Sequence, residues 1–264
     1  VQVLAGESRA AQKSLDQAKE LSDEHKLGDD GEVAEAIAEL TTLLDAPDDP
    51  DEPDEPVGED REDALFEAER LVELGNIERA ESKYAEAGKC YHSALEIFQK
   101  HGDRAGEGQA IGCLGNVYRE QGQHDRAAEL FTQAIDIARE IGDKRNEGIH
   151  LGNFGEAFVK MDRLDKAEES FRKSISISDE IYPVAAGAFR ASLALLLAKK
   201  GQVDEAQELL KIGESQVSSF PLEHAKFLGK KGQVQLLTGD LETAKRSLYQ
   251  AKALAIKHKI GTDV

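Results

Sequence analysis

Apolar residues recur at steps of three and four along much of this chain. In residues 124–141 they fall at Ala127, Leu130, Phe131, Ala134, Ala138 and Ile141. This spacing places them on one face of an α-helix and leaves polar residues on the opposite face. Proline, which interrupts helices, occurs at six positions, four of them between residues 47 and 56. The pattern predicts an all-α fold.

The helical pattern repeats with a period of about 40 residues. The segment HGDRAGEGQAIGCLGNVY, residues 101–118, is followed 40 positions later by IGDKRNEGIHLGNFGEAF, residues 141–158. Towards the C-terminus the spacing of the matching positions shortens slightly. Periods of 20 to 50 residues are typical of solenoids, in which each helix hairpin buries its apolar face against the next. We therefore predict about five antiparallel helix hairpins between residues 64 and 264.

Small residues recur where the two helices of a hairpin must approach each other. Gly115 and Ala127 occupy these positions in one unit, and Gly155 and Ala167 occupy them in the next. A missing side chain or a single methyl group lets helix axes come closer than the usual 8 to 10 Å. We expect the neighbouring aromatic residues to fill the space around each contact.

Two Gly-Asp pairs mark the boundaries between units. Gly102 and Gly142 are predicted to end one helix in the left-handed conformation. Asp103 and Asp143 are predicted to cap the next helix with their side chains. Because helix capping explains both acids, we assign neither of them a catalytic role.

These features resemble the tetratricopeptide repeat family, and the long period is similar to the subclass found in bacterial signalling proteins and in Leu-Gly-Asn-type adaptors. The residues that carry the resemblance are Leu114, Gly115, Tyr118, Gly122, Ala127, Phe131 and Ala134. The resemblance implies a right-handed superhelical solenoid whose first helices line a concave groove. It covers about three quarters of the chain.

The N-terminal part has a different composition. Residues 1–45 are predicted to form a helical hairpin that is a divergent repeat. Residues 46–63 are rich in proline and acids and cannot bury apolar surface, so we expect a solvated linker there.

The net charge of −19 argues against nucleic acid and anionic membranes as partners. No apolar run reaches the roughly 20 residues that a membrane span needs. Cys90 and Cys113 lack the spacing of a metal or redox motif, which is typical of reduced thiols. We expect a cytoplasmic protein.

The sequence contains none of the common catalytic or phosphate-binding motifs, and its seven histidines are scattered. We therefore predict no catalytic residue, no metal site, no cofactor and no enzyme activity. The protein is predicted to act by binding, as a scaffold or adaptor.

Candidate binding residues lie on the first helices. Asn76 and Asn116 each follow a repeat glycine by one residue, and Arg79 and Arg119 follow it by four. Residues three apart share a helix face. The same surface is predicted to continue through the residues Asn153, Glu156, Lys199 and Lys230.

The family resemblance implies roles for these side chains. The asparagines Asn76, Asn116 and Asn153 would hold the backbone of an extended peptide, and Arg79 and Arg119 would bind its carboxylates. The alternative is that they are solvated helix residues, with Arg119 paired to Glu120 or another acid.

Two functions remain open. The first is an adaptor that binds a peptide or protein with acidic or carboxylate groups in the groove. The second is a regulatory or sensor arm of a larger signalling protein or enzyme, such as a kinase, a nucleotide-binding switch or a peptidase, whose catalytic domain is outside this chain. Leu248, Ala251 and Leu254 on the last helix favour an end-to-end contact with a further domain or partner.

Overall fold

The computed structural model describes residues 61–258, which contain ten α-helices. In chain order they are α1 (Arg61–Ala80), α2 (Tyr84–Lys100), α3 (Arg104–Glu120), α4 (His124–Glu140), α5 (Lys144–Lys160), α6 (Leu164–Ile181), α7 (Pro183–Lys199), α8 (Val203–Val217), α9 (Pro221–Leu237) and α10 (Leu241–Lys257). The predicted hairpin at 1–45 and nearly all of the predicted linker at 46–63 lie outside the described residues.

The helices pack as hairpins in sequence order, α1 with α2 through α9 with α10. Helices α3, α5, α7 and α9, the first helices of their hairpins, contact each other from one hairpin to the next. The second helices α2, α4, α6, α8 and α10 make no such contact with one another in the described range. We call the exposed sides of α1, α3, α5, α7 and α9 the first-helix face. The prediction of an all-α solenoid of antiparallel hairpins is confirmed.

Within the first three hairpins, an aromatic ring of the second helix packs on a glycine of the first. A Cβ atom on Gly75, Gly115 or Gly155 would lie between 2.5 and 2.8 Å from a ring atom. The three rings are fully buried and belong to Tyr91, Phe131 and Phe171. Only a helix without a side chain at this point admits the ring, so the predicted close approach is confirmed.

The same device joins some neighbouring hairpins. The ring of Phe98 on α2 lies where a Cβ of Gly106 on α3 would be, and the ring of Phe189 on α7 does the same at Gly152 on α5. These contacts fill the space between units with buried aromatic area, the kind of surface that contributes most per residue to a helical core.

The unit boundaries follow the Gly-Asp prediction at two places. Gly102 and Gly142 have φ angles of 68° and 74°. Asp103 accepts hydrogen bonds from the backbone of Ala105 and Gly106, and Asp143 accepts one from Asn146. The capping role of both acids is therefore confirmed.

Later boundaries use proline instead. Pro183 begins α7 after the single residue Tyr182, and Pro221 begins α9. A proline in the first helical turn has its φ angle already set and lacks a donor that the helix would leave unpaired. The single-residue boundary after α6 shortens the next repeat to 39 residues, and the shorter helix α8, with 15 residues, shortens the following one to 38.

His150 is a buried histidine between two units. Its ring on α5 packs against α3, where a Cβ of Gly112 would lie 2.1 Å from Cε1. The ring is 5% exposed, and neither nitrogen has a hydrogen-bond partner among the described residues. Burial lowers the pKa of His150 to about 4, against an opposing effect of Asp143.

We predict that Gly115→Leu destabilises the fold, because the ring of Phe131 is fully buried and cannot move aside. The expected loss is about 1–3 kcal/mol, as for other overpacked cores. Gly88→Leu is the matched control, since a Cβ at Gly88 meets nothing within 4 Å. Urea denaturation measures both. Equal stability of Gly115→Leu and the wild type would contradict the packing described for this hairpin.

We also predict that His150 makes the fold sensitive to acid. The unfolded histidine takes up a proton near pH 6.5 and the folded one near pH 4, so stability decreases as the pH falls between these values. Between pH 7 and pH 5 the loss attributable to His150 should be about 2 kcal/mol. His150→Gln should remove this part of the pH dependence in urea denaturation, whereas His92→Gln, at an exposed position, should retain it. An identical pH profile for His150→Gln would refute the assignment.

Candidate functional site

The first-helix face is best described relative to one residue of each hairpin turn. This turn residue has a positive φ angle and is Ser82, Gly122, Asp162, Gly201 or Gly239. Side chains three, six and nine positions before it form a row along the first helix, in which each is a neighbour of the next because a step of three residues is close to one helical turn. Seven of the eight predicted binding residues occupy these positions: Asn76, Arg79, Asn116, Arg119, Asn153, Glu156 and Lys230.

The structure brings the four residues on α1 and α3 together, around the side chains of Glu120 and Tyr91. Arg79 on α1 donates from Nη1 to Oε1 of Glu120 on α3 over 2.9 Å. Arg119 donates from Nη2 to the same oxygen over 3.3 Å, and to Oδ1 of Asn116 over 3.2 Å. Asn76 accepts a hydrogen bond from the hydroxyl of the buried Tyr91 over 2.9 Å. We call Asn76, Arg79, Asn116, Arg119 and Glu120 the arginine cluster.

The arginine cluster carries more positive than negative charge. Two guanidinium groups share one carboxylate, and the Nε atoms of Arg79 and Arg119 are buried without a hydrogen-bond partner among the described residues. Burial alone would lower the pKa of Arg79, but the charge of Glu120 and the contact with Tyr91 raise it. Arg79 therefore stays charged, and the cluster keeps an excess of positive charge for a further anion.

A second cluster joins the first helices α5, α7 and α9. Lys230 on α9 donates from Nζ to Oε1 of Glu156 on α5 over 2.7 Å, and it also contacts Oγ of Ser192 on α7. Ser192 in turn donates to the same oxygen of Glu156. We call these three residues the glutamate cluster. It connects residues 74 positions apart in sequence.

The charge state of Glu156 follows from these contacts. Burial alone would raise its pKa, but the charge of Lys230 and the hydrogen bonds from Lys230 and Ser192 lower it below the usual value. Arg119 of the arginine cluster contributes to the same lowering. The two clusters thus interact electrostatically across α3 and α5.

Two predicted binding residues stay outside both clusters. Asn153 is half-buried on α5 and makes no side-chain hydrogen bond within the described part of the chain. Lys199 is exposed near the end of α7, and no ion pair joins it to another residue of the range 61–258. The sequence prediction placed Lys199 on the same line as Lys230, and the structure does not bring the two lysines together.

Two residues that the sequence prediction did not choose complete the site. Glu120 entered only as an alternative partner of Arg119, although it also binds Arg79 of the preceding unit. Ser192 was missed, yet it lies nine positions before its turn residue, as Asn153 and Lys230 do. Aligning the units on the turn residues would have identified Ser192.

A separate cleft opens between the second helices α4 and α6. Its volume is about 260 Å³, and its floor includes Leu151, Phe154 and Phe158. The ring centroids of the two phenylalanines lie 4.2 Å apart. The cleft does not include any of the eight predicted binding residues.

The described residues form neither a metal site nor a membrane span. In residues 61–258 no group of three or more histidine, cysteine or acidic side chains is arranged to hold a metal ion. No helix in that range is both long and apolar enough to cross a membrane. Cys90 and Cys113 are free thiols, and burial raises the pKa of Cys113 to about 11.

Comparison with known proteins identifies the family. The tetratricopeptide repeat model matches residues 67–140 and 107–180, which include the residues that carried the resemblance in the sequence. Residues 67–180 belong to the tetratricopeptide repeat family. No enzyme family was identified, and no curated protein matches the sequence significantly.

Solved structures share this fold at low sequence identity. The Rap protein complexed with Competence and Sporulation Factor has a TM-score of 0.65 at 17% identity, over 96% of this chain and 61% of the other. The Rap conjugation gene regulator of plasmid pLS20, in complex with the Phr* peptide, has a TM-score of 0.64 at 17% identity, over 94% and 71%. BtubC from P. vanneervenii has a TM-score of 0.56 at 16% identity, over 99% and 95%.

We predict that Lys230→Met destabilises the fold at neutral pH by about 1–3 kcal/mol, because it leaves Glu156 charged and half-buried without its cation. The wild-type contribution of Glu156 is present above its unfolded pKa and is lost as the pH falls through its lower folded pKa. In the variant, acid neutralises the unpaired carboxylate instead, so the difference between the two proteins should shrink towards pH 4.5. Urea denaturation at both pH values measures this.

The double variant Glu156→Gln/Lys230→Met is the control for that experiment. It removes both charges and should recover part of the stability that the single variant loses. A single variant as stable as the wild type at pH 7 would show that the glutamate cluster does not hold α5, α7 and α9 together.

Proposed function

We propose that this chain is a protein-interaction module that binds an acidic peptide or protein segment along the first-helix face. The observation that carries the proposal is the arginine cluster, in which two guanidinium groups from adjacent units share one carboxylate and remain partly exposed. Arginine is well suited to bind carboxylates, because its planar group can donate two parallel hydrogen bonds.

The other residues of the face fit a ligand with an extended backbone. The amide of Asn153 lies about one turn before Glu156 on α5, with its hydrogen-bonding capacity unused by the described chain. In our proposal it binds the ligand backbone, while Asn116 orients Arg119 through their hydrogen bond. Asn76 accepts a hydrogen bond from the hydroxyl of Tyr91, which also contacts Arg79.

The solved relatives support a peptide as the ligand class. Two of the Rap structures with this fold are complexes with a named peptide or factor. At 17% identity these structures establish the fold alone, so the ligand is proposed here from the chemistry of the first-helix face. We propose no catalytic activity and no cofactor for residues 61–258.

Exposed apolar residues favour a second candidate function. Of the residues predicted to seek a partner on α10, Leu248 is half exposed and Leu254 is partly exposed, but Ala251 is buried and is not available. Tyr249 and Ile256 on the same helix are more than half exposed. A regulatory or sensor arm of a larger protein would use such a surface to contact a further domain or partner. In that case binding depends on α10 and not on the arginine cluster.

We predict that Arg79→Glu/Arg119→Glu abolishes partner capture from native lysate and leaves the helix content unchanged. The reversed charges repel a carboxylate ligand and place acids beside Glu120 and Glu156. Affinity capture with quantitative mass spectrometry measures the loss, and circular dichroism monitors the fold.

The matched control is Lys89→Glu/Lys211→Glu, which makes the same change in net charge at exposed positions on α2 and α8. It should capture the same proteins as the wild type. Equal capture by the arginine variant and the wild type would reject the first-helix face and favour the second candidate function.

A further inference from the structure

We propose that Glu120 is an internal competitor for the ligand carboxylate, so that it sets the affinity and the acid selectivity of the arginine cluster. This inference rests on the proposed function and adds a regulating residue to it. Glu120 occupies the place that an acidic side chain of the ligand would take.

The geometry supports competition. Oε1 of Glu120 accepts from Arg79 over 2.9 Å and from Arg119 over 3.3 Å. The longer of these is at the outer limit of a charge-assisted hydrogen bond. Glu120 therefore satisfies the two arginines only in part, through a single oxygen atom.

The arginine cluster has two donor atoms without a hydrogen-bond acceptor in the range 61–258. The Nε atoms of Arg79 and Arg119 are buried and have no partner in the described chain. Leaving buried donors unpaired is unfavourable. These two atoms are out of reach of a ligand, but the side chains of Arg79 and Arg119 are 31% and 22% exposed. A second carboxylate can approach the exposed part of the guanidinium groups and neutralise the remaining positive charge, either beside Glu120 or in its place.

The glutamate cluster offers no such opportunity. There Glu156 is hydrogen-bonded to one cation, Lys230, and to Ser192, and the charge of Arg119 stabilises it further. Lys230 has Glu156 as its own carboxylate partner, so an incoming carboxylate finds no unpaired cation there and is repelled by Glu156. The acidic residue of a ligand is thus directed to the end of the face formed by α1 and α3.

Removing the charge of Glu120 should strengthen the binding of acidic ligands. The probe is a fluorescein-labelled, capped hexaglutamate peptide, and binding is measured by fluorescence anisotropy at matched salt. Glu120→Gln should bind it about tenfold more tightly than the wild type, as expected for loss of one like charge at about 4 Å. Glu129→Gln, which removes one acid from an exposed position on α4, is the control and should change the affinity less than twofold.

The outcomes separate this inference from the proposed function. Tighter binding by Glu120→Gln, lost again in Arg79→Gln/Arg119→Gln, supports both. Unchanged or weaker binding by Glu120→Gln, with binding still lost in the arginine variant, overturns the competitor role alone and makes Glu120 a residue that positions the arginines. If no variant binds hexaglutamate, or if the arginine variant binds as well as the wild type, both proposals fail. Circular dichroism melting must show each variant folded.

Discussion

The contact of an aromatic ring with a bare stretch of helix is the constraint on which this structure depends. Gly75, Gly115 and Gly155 each receive a buried ring from the second helix of their own hairpin. The ring fixes both the distance between the two helices and their register, since it fits at only one position along the first helix. Repetition of this contact gives the first three hairpins the same geometry.

That regular geometry places polar side chains of different units beside each other. Arg79 reaches Glu120 because the last helical turns of α1 and α3 lie side by side. Lys230 reaches Glu156 because α7 between them contributes the short side chain of Ser192. Charges that are remote in sequence are thereby partly removed from water, where they interact more strongly than on an open surface.

Much of the fold could be predicted from the sequence, because its determinants are local. The steps of three and four, the small residue in each hairpin and the Gly-Asp caps all act within about one unit, and the structure confirms them. The turn at Asp162 was harder to predict, since a left-handed conformation is less common outside glycine. The prolines that replace Gly-Asp at later boundaries were visible in the sequence, but their capping role became clear only in the structure.

The candidate site was predictable in its location and not in its pairing. The register of Asn76, Arg79, Asn116 and Arg119 placed them on one face. Which acid would pair with which cation depends on the spacing of units, and this spacing changes after α6, where the boundary becomes a single residue. The sequence therefore did not predict that two arginines share Glu120 or that Lys230 pairs with Glu156.

The most direct test of the account is site-specific photocrosslinking. A benzoylphenylalanine placed at Asn153, about one turn before Glu156 on α5, would lie on the proposed path of the ligand, whereas one placed at Lys89 on α2 would lie away from it. If an acidic ligand binds along the first-helix face, position 153 gives a crosslinked partner that an excess of hexaglutamate peptide displaces, and position 89 gives none. Crosslinking at position 89 alone, or a product at position 153 that the acidic peptide does not affect, would contradict it.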